Sequence, residues 1–258
     1  MLQIDVVVLT RNSAKTIGQC LDAIKRTTDA SALIIIDDSN DGGETVRIAR
    51  KYTDKISVYS GNIGEKRDHA IDLVTAPIFA FVDSDVIINS KAFVRSVEIM
   101  RSNDLIAAVH SGVRPADPRD FVSGETKQNL TFGFALLRTM ALRESRIPHR
   151  SRGEDPATGM RLKRLGYEVV WQGEFVCLHM RTLVDTWRHY LQYGRRGHFE
   201  GHPVYVVRKL VRQRDMKTLV LQLCFLAGYT EYRVKRLGRQ EPHPRKRLEE
   251  SYSADIHY

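Results

Sequence analysis

Cysteine is scarce: Cys20, Cys177 and Cys224 are the three in 258 residues. None stands in a C-x-x-C pair, so neither a disulfide framework nor a zinc cluster is expected. All three read as small buried hydrophobes of a reducing compartment. No run of about 18 apolar residues occurs, so no membrane-spanning helix is expected. The chain opens directly into Ile4–Leu9, without a basic stretch or a small-residue cleavage site, and no signal peptide is expected. Glycine is missing where two nucleotide-binding classes need it. Thr10-Arg11-Asn12-Ser13 follows the first apolar run. That excludes the G-x-G-x-x-G loop of dinucleotide enzymes and leaves out the Gly-rich, Arg-containing loop usual in nucleotidyltransferases. Internal repeats and low-complexity segments are also absent.

What is present is ordinary globular material, 42% hydrophobic and 28% charged. The formal net charge of +9 is local. Residues 204–247 hold twelve Lys/Arg against three Asp/Glu, which accounts for the whole excess. The chain therefore reads as a main domain over 1–200 and a basic helical extension over 201–258.

Apolar runs without alternation mark buried strands at 3–9, 33–36 and 78–82. Helical spacing of Ile17, Leu21 and Ile24 predicts a helix over 14–26, with Ser13 as its cap. Further helices are predicted over 43–52, 65–75, 90–101, 139–145 and 156–165, with short strands at 56–59, 105–110, 132–138, 169–171 and 175–178. Residues 111–131 read as a loop or edge hairpin, and most of the chain after 182 as helix, including 216–237. Strand–helix alternation with continuous apolar strands implies an α/β fold whose sheet is covered on both faces. Ligands bind such sheets at the carboxyl ends of the strands.

The candidates for chemistry stand at those ends. Asp83-Ser84-Asp85 closes the 78–82 strand. Two carboxylates around one spacer suit a hard divalent cation that bridges phosphate oxygens, and they also suit a turn bonded to local backbone. Asp37-Asp38 can accept from a base or ribose, or cap a helix. Glu154-Asp155-Pro156 opens a helix, with Asp155 as its cap or as a rigidly held general base. His179 ends a short strand, where a neutral imidazole can join Asp85 on a metal. Lys66 and Arg67 follow the Gly61–Gly64 turn and offer cations to a phosphate near a helix start, or form an ordinary solvated turn.

In order and spacing these pieces resemble glycosyltransferase family 2 on the GT-A fold, over about residues 3–198. The resemblance is carried by Val6-Val7-Val8-Leu9-Thr10-Arg11-Asn12, Ile35-Ile36-Asp37-Asp38-Ser39, Asn62-Ile63-Gly64, Ala80-Phe81-Val82-Asp83-Ser84-Asp85, Gly153-Glu154-Asp155 and Val176-Cys177-Leu178-His179. It implies a Rossmann-like, mixed, mostly parallel sheet flanked by helices. It also implies an inverting enzyme that moves a sugar from a nucleotide-sugar donor to an acceptor hydroxyl. Thr10, Arg11, Asn12, Asp38, Gly64, Lys66, Asp83, Ser84 and Asp85 fall on the donor side. Asp85, with Asp83 and His179, would hold Mg²⁺ or Mn²⁺. Asp155, beside Glu154, would be the base. Gly133 and Arg138, in a stretch similar to F-x-G-x-x-x-x-R, and Arg195 and Arg196, a loose echo of Q-x-x-R-W without its tryptophan, fall on the acceptor side. The partners implied are a nucleotide sugar and a glycan or lipid-linked acceptor.

Eleven residues, 219–229, apolar nearly all round, lie between basic flanks. They are too few to span a bilayer but fit an anionic membrane surface as well as packing on protein. The expected location is cytoplasmic, at the membrane periphery, and no nucleic-acid partner is expected. The other classes kept open are a nucleotidyltransferase of related fold and a catalytically silent nucleotide-sugar-binding protein.

Overall fold

The strands are β1 (Ile4–Thr10), β2 (Ala32–Asp37), β3 (Ile56–Val58), β4 (Ile78–Asp83), β5 (Val86–Ile87), β6 (Ile106–Pro115), β7 (Phe134–Arg138) and β8 (Glu168–His179). The helices are α1 (Ile17–Thr27), α2 (Glu44–Ala49), α3 (Ile63–Leu73), α4 (Ser90–Ser102), α5 (Thr139–Ser145), α6 (Glu154–Arg164) and α7 (Met216–Leu237). The computed structural model describes residues 3–115, 129–151, 153–180, 188, 191 and 216–237. It divides into two compact units, Met1–Ala116 with Gly124–Met180, and Asp117–Ser123 with Arg181–Tyr258. Of the helix expected after 182, the span 216–237 is α7; between 181 and 215 only residues 188 and 191 are described, and the Gln192–Arg196 echo, with Arg195 and Arg196, lies outside the described residues.

An apolar run without polar alternation leaves neither face of a strand for water. All seven residues of β1 are buried. Val6 and Val8 pack on one face with Ile17, Leu21 and Ile24 of α1. Val7 and Leu9 pack on the other with Ile71 of α3, Leu142 of α5 and Leu162 of α6. Each such aliphatic side chain contributes about 1.5–3 kcal/mol on burial. The sheet order is β3-β2-β1-β4-β7-β6-β8-β5. The first four strands in that order are parallel, so β1, β2 and β4 all point their carboxyl ends to one edge.

The mixed, mostly parallel sheet agrees with the sequence reading, with three local differences. β7 runs antiparallel to β4 and β6. Its Phe-Ala-Leu-Leu run is buried like the parallel strands, and an apolar run carries no direction. The two short strands expected at 169–178 are one strand, β8. The polar break between them is bridged by Gln172, whose amide exchanges hydrogen bonds of 2.8 and 2.9 Å with the Phe175 backbone. Finally, α1 begins at Ile17, not 14, and Ser13 does not cap it.

α3 starts at a closed capping box. Asn62 accepts from the Glu65 N–H at 3.0 Å, and Glu65 accepts from the Asn62 N–H at 2.7 Å. That box fixes the rotation of the next turn, which carries Lys66, Arg67 and Asp68. No described helix is long and apolar enough to cross a membrane.

Candidate active site

Three loops meet at the carboxyl edge, and short polar side chains lock them together. Thr10 donates to Asp37 Oδ1 at 3.0 Å, and Ser39 donates to the same oxygen at 2.7 Å. Asn12, at φ 53°, exchanges two hydrogen bonds with Asn40, of 2.7 and 2.8 Å. Thr10 and Asn12 are thus committed to protein partners. At the sheet edge where they were expected on the donor side, they hold the β1 and β2 loops in register. Ser13 and Ser84 join their hydroxyls at 2.8 Å, which ties the β1 loop to the D-x-D turn.

Asp38 accepts from the buried Lys66 Nζ at 3.0 Å. The Arg11 guanidinium, largely exposed, stands 3.9 Å from the same oxygen. Burial pushes the Asp38 carboxyl up, but the Lys66 bond and the nearby Lys66 and Arg11 charges hold it below its ordinary value. Asp38 is therefore ionised at neutral pH.

Gly64 does not face an open cleft. Its N–H donates to the Arg150 carbonyl at 3.0 Å. A Cβ there would run into the Pro148 carbonyl oxygen and stand 2.7 Å from Arg150 N. Gly64, expected on the donor side, packs closely on backbone here and seats the segment leading into α6. Gly64→Ala is expected to cost about 1–3 kcal/mol and to lower Tm by roughly 2–4 °C per kcal/mol. A thermal melt checks this, and an unchanged Tm contradicts it.

α6 opens at Glu154 after Gly153, whose φ is +76°. Asp155 is not the cap. Its Oδ2 accepts from the Phe132 N–H at 3.0 Å and its Oδ1 from Arg67 at 2.5 Å. Arg67, from α3, also bonds Glu154 Oε1 and lies 3.3 Å from Asp83 Oδ1. One buried guanidinium therefore gathers Asp83, Glu154 and Asp155, residues separated by up to 88 positions from it. Burial raises Glu154 to about 7, opposed by Arg67 and reinforced by Asp155. Burial likewise raises Asp83, with Arg67 opposing and Asp85 and Asp155 adding to the rise. By sequence alone Arg67 reads as a phosphate contact or as part of an ordinary solvated turn. A buried Arg on the turn after a capping box, facing acidic motifs at strand ends, was the available signal.

Gly133 lies beside the D-x-D turn. Its carbonyl accepts from the Asp83 N–H at 3.1 Å, and a Cβ on it would stand 3.7 Å from Asp83 Oδ2. Arg138 is elsewhere. It pairs with Ile78 at the start of β4, about 16 Å of strand from Asp83 at ~3.3 Å per residue. Its guanidinium donates to the carbonyls of Met100, Asn103 and Ile106. The acceptor-side expectation for Arg138 is therefore corrected. It closes the carboxyl end of α4, where cations are favoured.

His179, on β8, sets Nε2 3.2 Å from Asp85 Oδ2. Ligands at 2.0–2.1 Å on adjacent corners of an octahedral cation are separated by about 3 Å, so this pair fits one edge of such a site. His179 Nδ1 is buried with no hydrogen-bond partner. Among the described residues no three His, Cys, Asp or Glu side chains gather closely enough to hold a metal by themselves. Magnesium is commonly held in that way, by one or two protein ligands plus phosphate oxygens and water.

The model of the family described as glycosyl transferase family 2 matches residues 5–152. Over 101 residues the chain is 30% identical to the poly(ribitol-phosphate) beta-N-acetylglucosaminyltransferase TarP of Staphylococcus aureus (strain N315). That match spans 36% of this chain and 31% of TarP, so the chain aligns with about a third of its relative's length. Among solved structures, glucosyl-3-phosphoglycerate synthase from Mycobacterium tuberculosis, crystallised with Mg²⁺ and uridine diphosphate, has a similar fold. It gives a TM-score of 0.56 at 21% identity over 71% of this chain and 73% of that one. S. aureus TarS 1–349 gives 0.56 at 16% identity over 95% of this chain and 77% of that one.

Proposed function

The chain belongs to glycosyl transferase family 2, and from that premise we propose that it is an inverting glycosyltransferase using a nucleoside-diphosphate sugar. The observation that carries the reading is the meeting of two acidic sites on one guanidinium, at the carboxyl edge of the sheet. Asp83-Ser84-Asp85 is suited to the leaving group, and Asp155 to the nucleophile. Ionised Asp38, with Lys66 and Arg11 beside it, receives the base. Asp155 takes the proton from the acceptor hydroxyl, its oxygens oriented by the Phe132 N–H and by Arg67. Attack opposite the departing diphosphate inverts the anomeric centre. Asp85 and His179 would hold Mg²⁺ or Mn²⁺, which when bound neutralises charge on the diphosphate. The neighbouring synthase, whose structures contain uridine diphosphate with Mg²⁺ or uridine-diphosphate-glucose with Mn²⁺, supports that choice of cation and makes uridine donors the first to test.

A panel of nucleotide sugars tests the reading, with release of nucleoside diphosphate measured with and without chelator. Cation-dependent release from at least one donor is expected. A silent nucleotide-sugar-binding protein would bind a donor and release nothing, which would overturn the proposal. Within this assay His179→Ala is expected to raise the cation concentration for half-maximal rate by about tenfold or more. An unshifted cation titration would remove His179 from the metal site.

We also propose a peripheral site of action on the cytoplasmic face of a membrane, with a glycan or lipid-linked acceptor. The basic segment 204–247 supports it, as does α7, which exposes Leu223 and Val234. The intact chain is expected to sediment with anionic vesicles at low salt and to be released as salt screens the charges. Failure to sediment at low salt would count against it.

A further inference from the structure

We propose that Arg67 is a positioning residue of the transfer reaction, holding the base Asp155 and the donor-side Asp83 in one fixed relation. The inference rests on the reading above and deepens it. Arg67 is buried, with a side chain 6% exposed. Its Nη1 is shared between Glu154 Oε1 and Asp155 Oδ1, and its Nη2 reaches Asp83 Oδ1. A planar fork reaches these carboxylates from two separated nitrogens in a fixed plane, whereas an ammonium would have to serve them all from one point.

The fork itself has little freedom. Its carbon lies 4.8 Å from the Phe132 ring centroid and 5.9 Å from that of Phe81. Phe132 acts twice, because its N–H also donates to the other oxygen of Asp155. The helix behind the fork is fixed from both sides. Lys66 is held by Asp38. Asp68 accepts from the Ile147 N–H at 2.9 Å and from Arg146 at 2.9 Å, which ties α3 to the segment before α6. Three consecutive residues of one capped turn thus reach the base-binding loop, the acid cluster and the segment leading into α6.

Charge argues against a plain donor-anion role. Three carboxyl groups already surround the one guanidinium and take up Nη1 and Nη2, while its buried Nε has no partner among the described residues. An anionic diphosphate would have to displace those partners to claim it. A divalent cation arriving at the neighbouring Asp85 would instead relieve the repulsion that Asp85 and Asp155 exert on Asp83.

The test is a double-mutant cycle of Arg67→Lys and Asp155→Asn. Lysine keeps the charge and loses the fork. We expect kcat of Arg67→Lys to fall about 10²-fold, the scale of a misplacement near 1 Å, with KM for the donor changed by less than about threefold. In the Asp155→Asn background the same substitution is expected to change kcat by less than about threefold, because its effect runs through Asp155. Multiplicative losses in the double variant would overturn the proposal. So would a loss confined to donor KM, which marks a phosphate contact, or a wild-type kcat in Arg67→Lys. If Arg67→Lys does not fold by circular dichroism, Glu154→Gln takes its place in the same cycle, since it frees one branch of the fork. Failure of the parent reading looks different: the wild-type chain then shows no transfer, whereas here the wild type transfers and only the cycle decides.

Discussion

Asparagine at position 155 is expected to lower sugar transfer by about 10²–10⁴-fold, the usual contribution of a general base. The change is nearly isosteric and keeps one oxygen to accept from either the Phe132 N–H or Arg67. The amide nitrogen cannot take up the acceptor's proton. Because the Asp155 carboxylate is held on both oxygens, its orientation is set before the acceptor arrives, and the loss should fall on kcat and not on donor KM. One charge-assisted hydrogen bond is forfeited, so the stability cost should remain about 1.5–3 kcal/mol. Rates measured with saturating donor check this. An Asp155→Asn chain with full transfer activity would remove the assignment.

The largest loss of stability is expected from Asp5→Ala, a residue far from the chemistry. Asp5 is fully buried in β1. Its Oδ2 accepts from the N–H groups of Thr75 and Ala76, at 2.8 and 3.0 Å, and from the Thr75 hydroxyl at 3.2 Å. Those donors belong to the chain just before β4, where α3 has ended and its backbone groups have no ladder partner. Alanine leaves the buried Ala76 N–H and the part-buried Thr75 N–H without their acceptor, at about 1–3 kcal/mol each. A total of about 2–6 kcal/mol lowers Tm by roughly 4–24 °C at ~2–4 °C per kcal/mol. Urea unfolding and a thermal melt measure it. A change below about 1 kcal/mol would mean water replaces the carboxylate there.

Much of this architecture was legible from residue order alone, for a physical reason. Buried parallel strands must be apolar throughout, so Val6-Val7-Val8-Leu9, Leu33-Ile34-Ile35-Ile36 and Ile78-Phe79-Ala80-Phe81-Val82 announce themselves. The polar residues that interrupt them, Asp37-Asp38 and Asp83-Ser84-Asp85, are then placed at the sheet edge by topology. Long-range partnership is what local pattern does not encode. Ser13 has the chemistry of a helix cap but spends its hydroxyl on Ser84, 71 residues away. Asp155 has the position of a cap but points its oxygens at Arg67 and Phe132. Arg138 follows the acceptor-like glycine by five residues. In a strand that distance carries it to the far end of the sheet, where the α4 carbonyls hold it. In each case the residue type was informative about its capacity and silent about its partner.

The glycines divide in the same way. Gly153, at φ +76°, starts α6 with the left-handed turn that aims Glu154 and Asp155 inward. Gly64 has no such angle, and its need for a bare Cα arises wholly from the Pro148–Arg150 backbone packed against it. Sequence spacing marks both positions without distinguishing these causes.

The proposed reaction divides its labour, with Asp85 serving the leaving group and Asp155 the nucleophile. Calorimetric binding of nucleoside diphosphate with Mn²⁺ tests it most directly, comparing the wild-type chain with Asp85→Asn and Asp155→Asn. Asp85→Asn is expected to lose the Mn²⁺-dependent part of binding, while Asp155→Asn binds within about threefold of wild type although its transfer has collapsed. Undiminished Mn²⁺-dependent binding by Asp85→Asn, or its loss in Asp155→Asn, would contradict it.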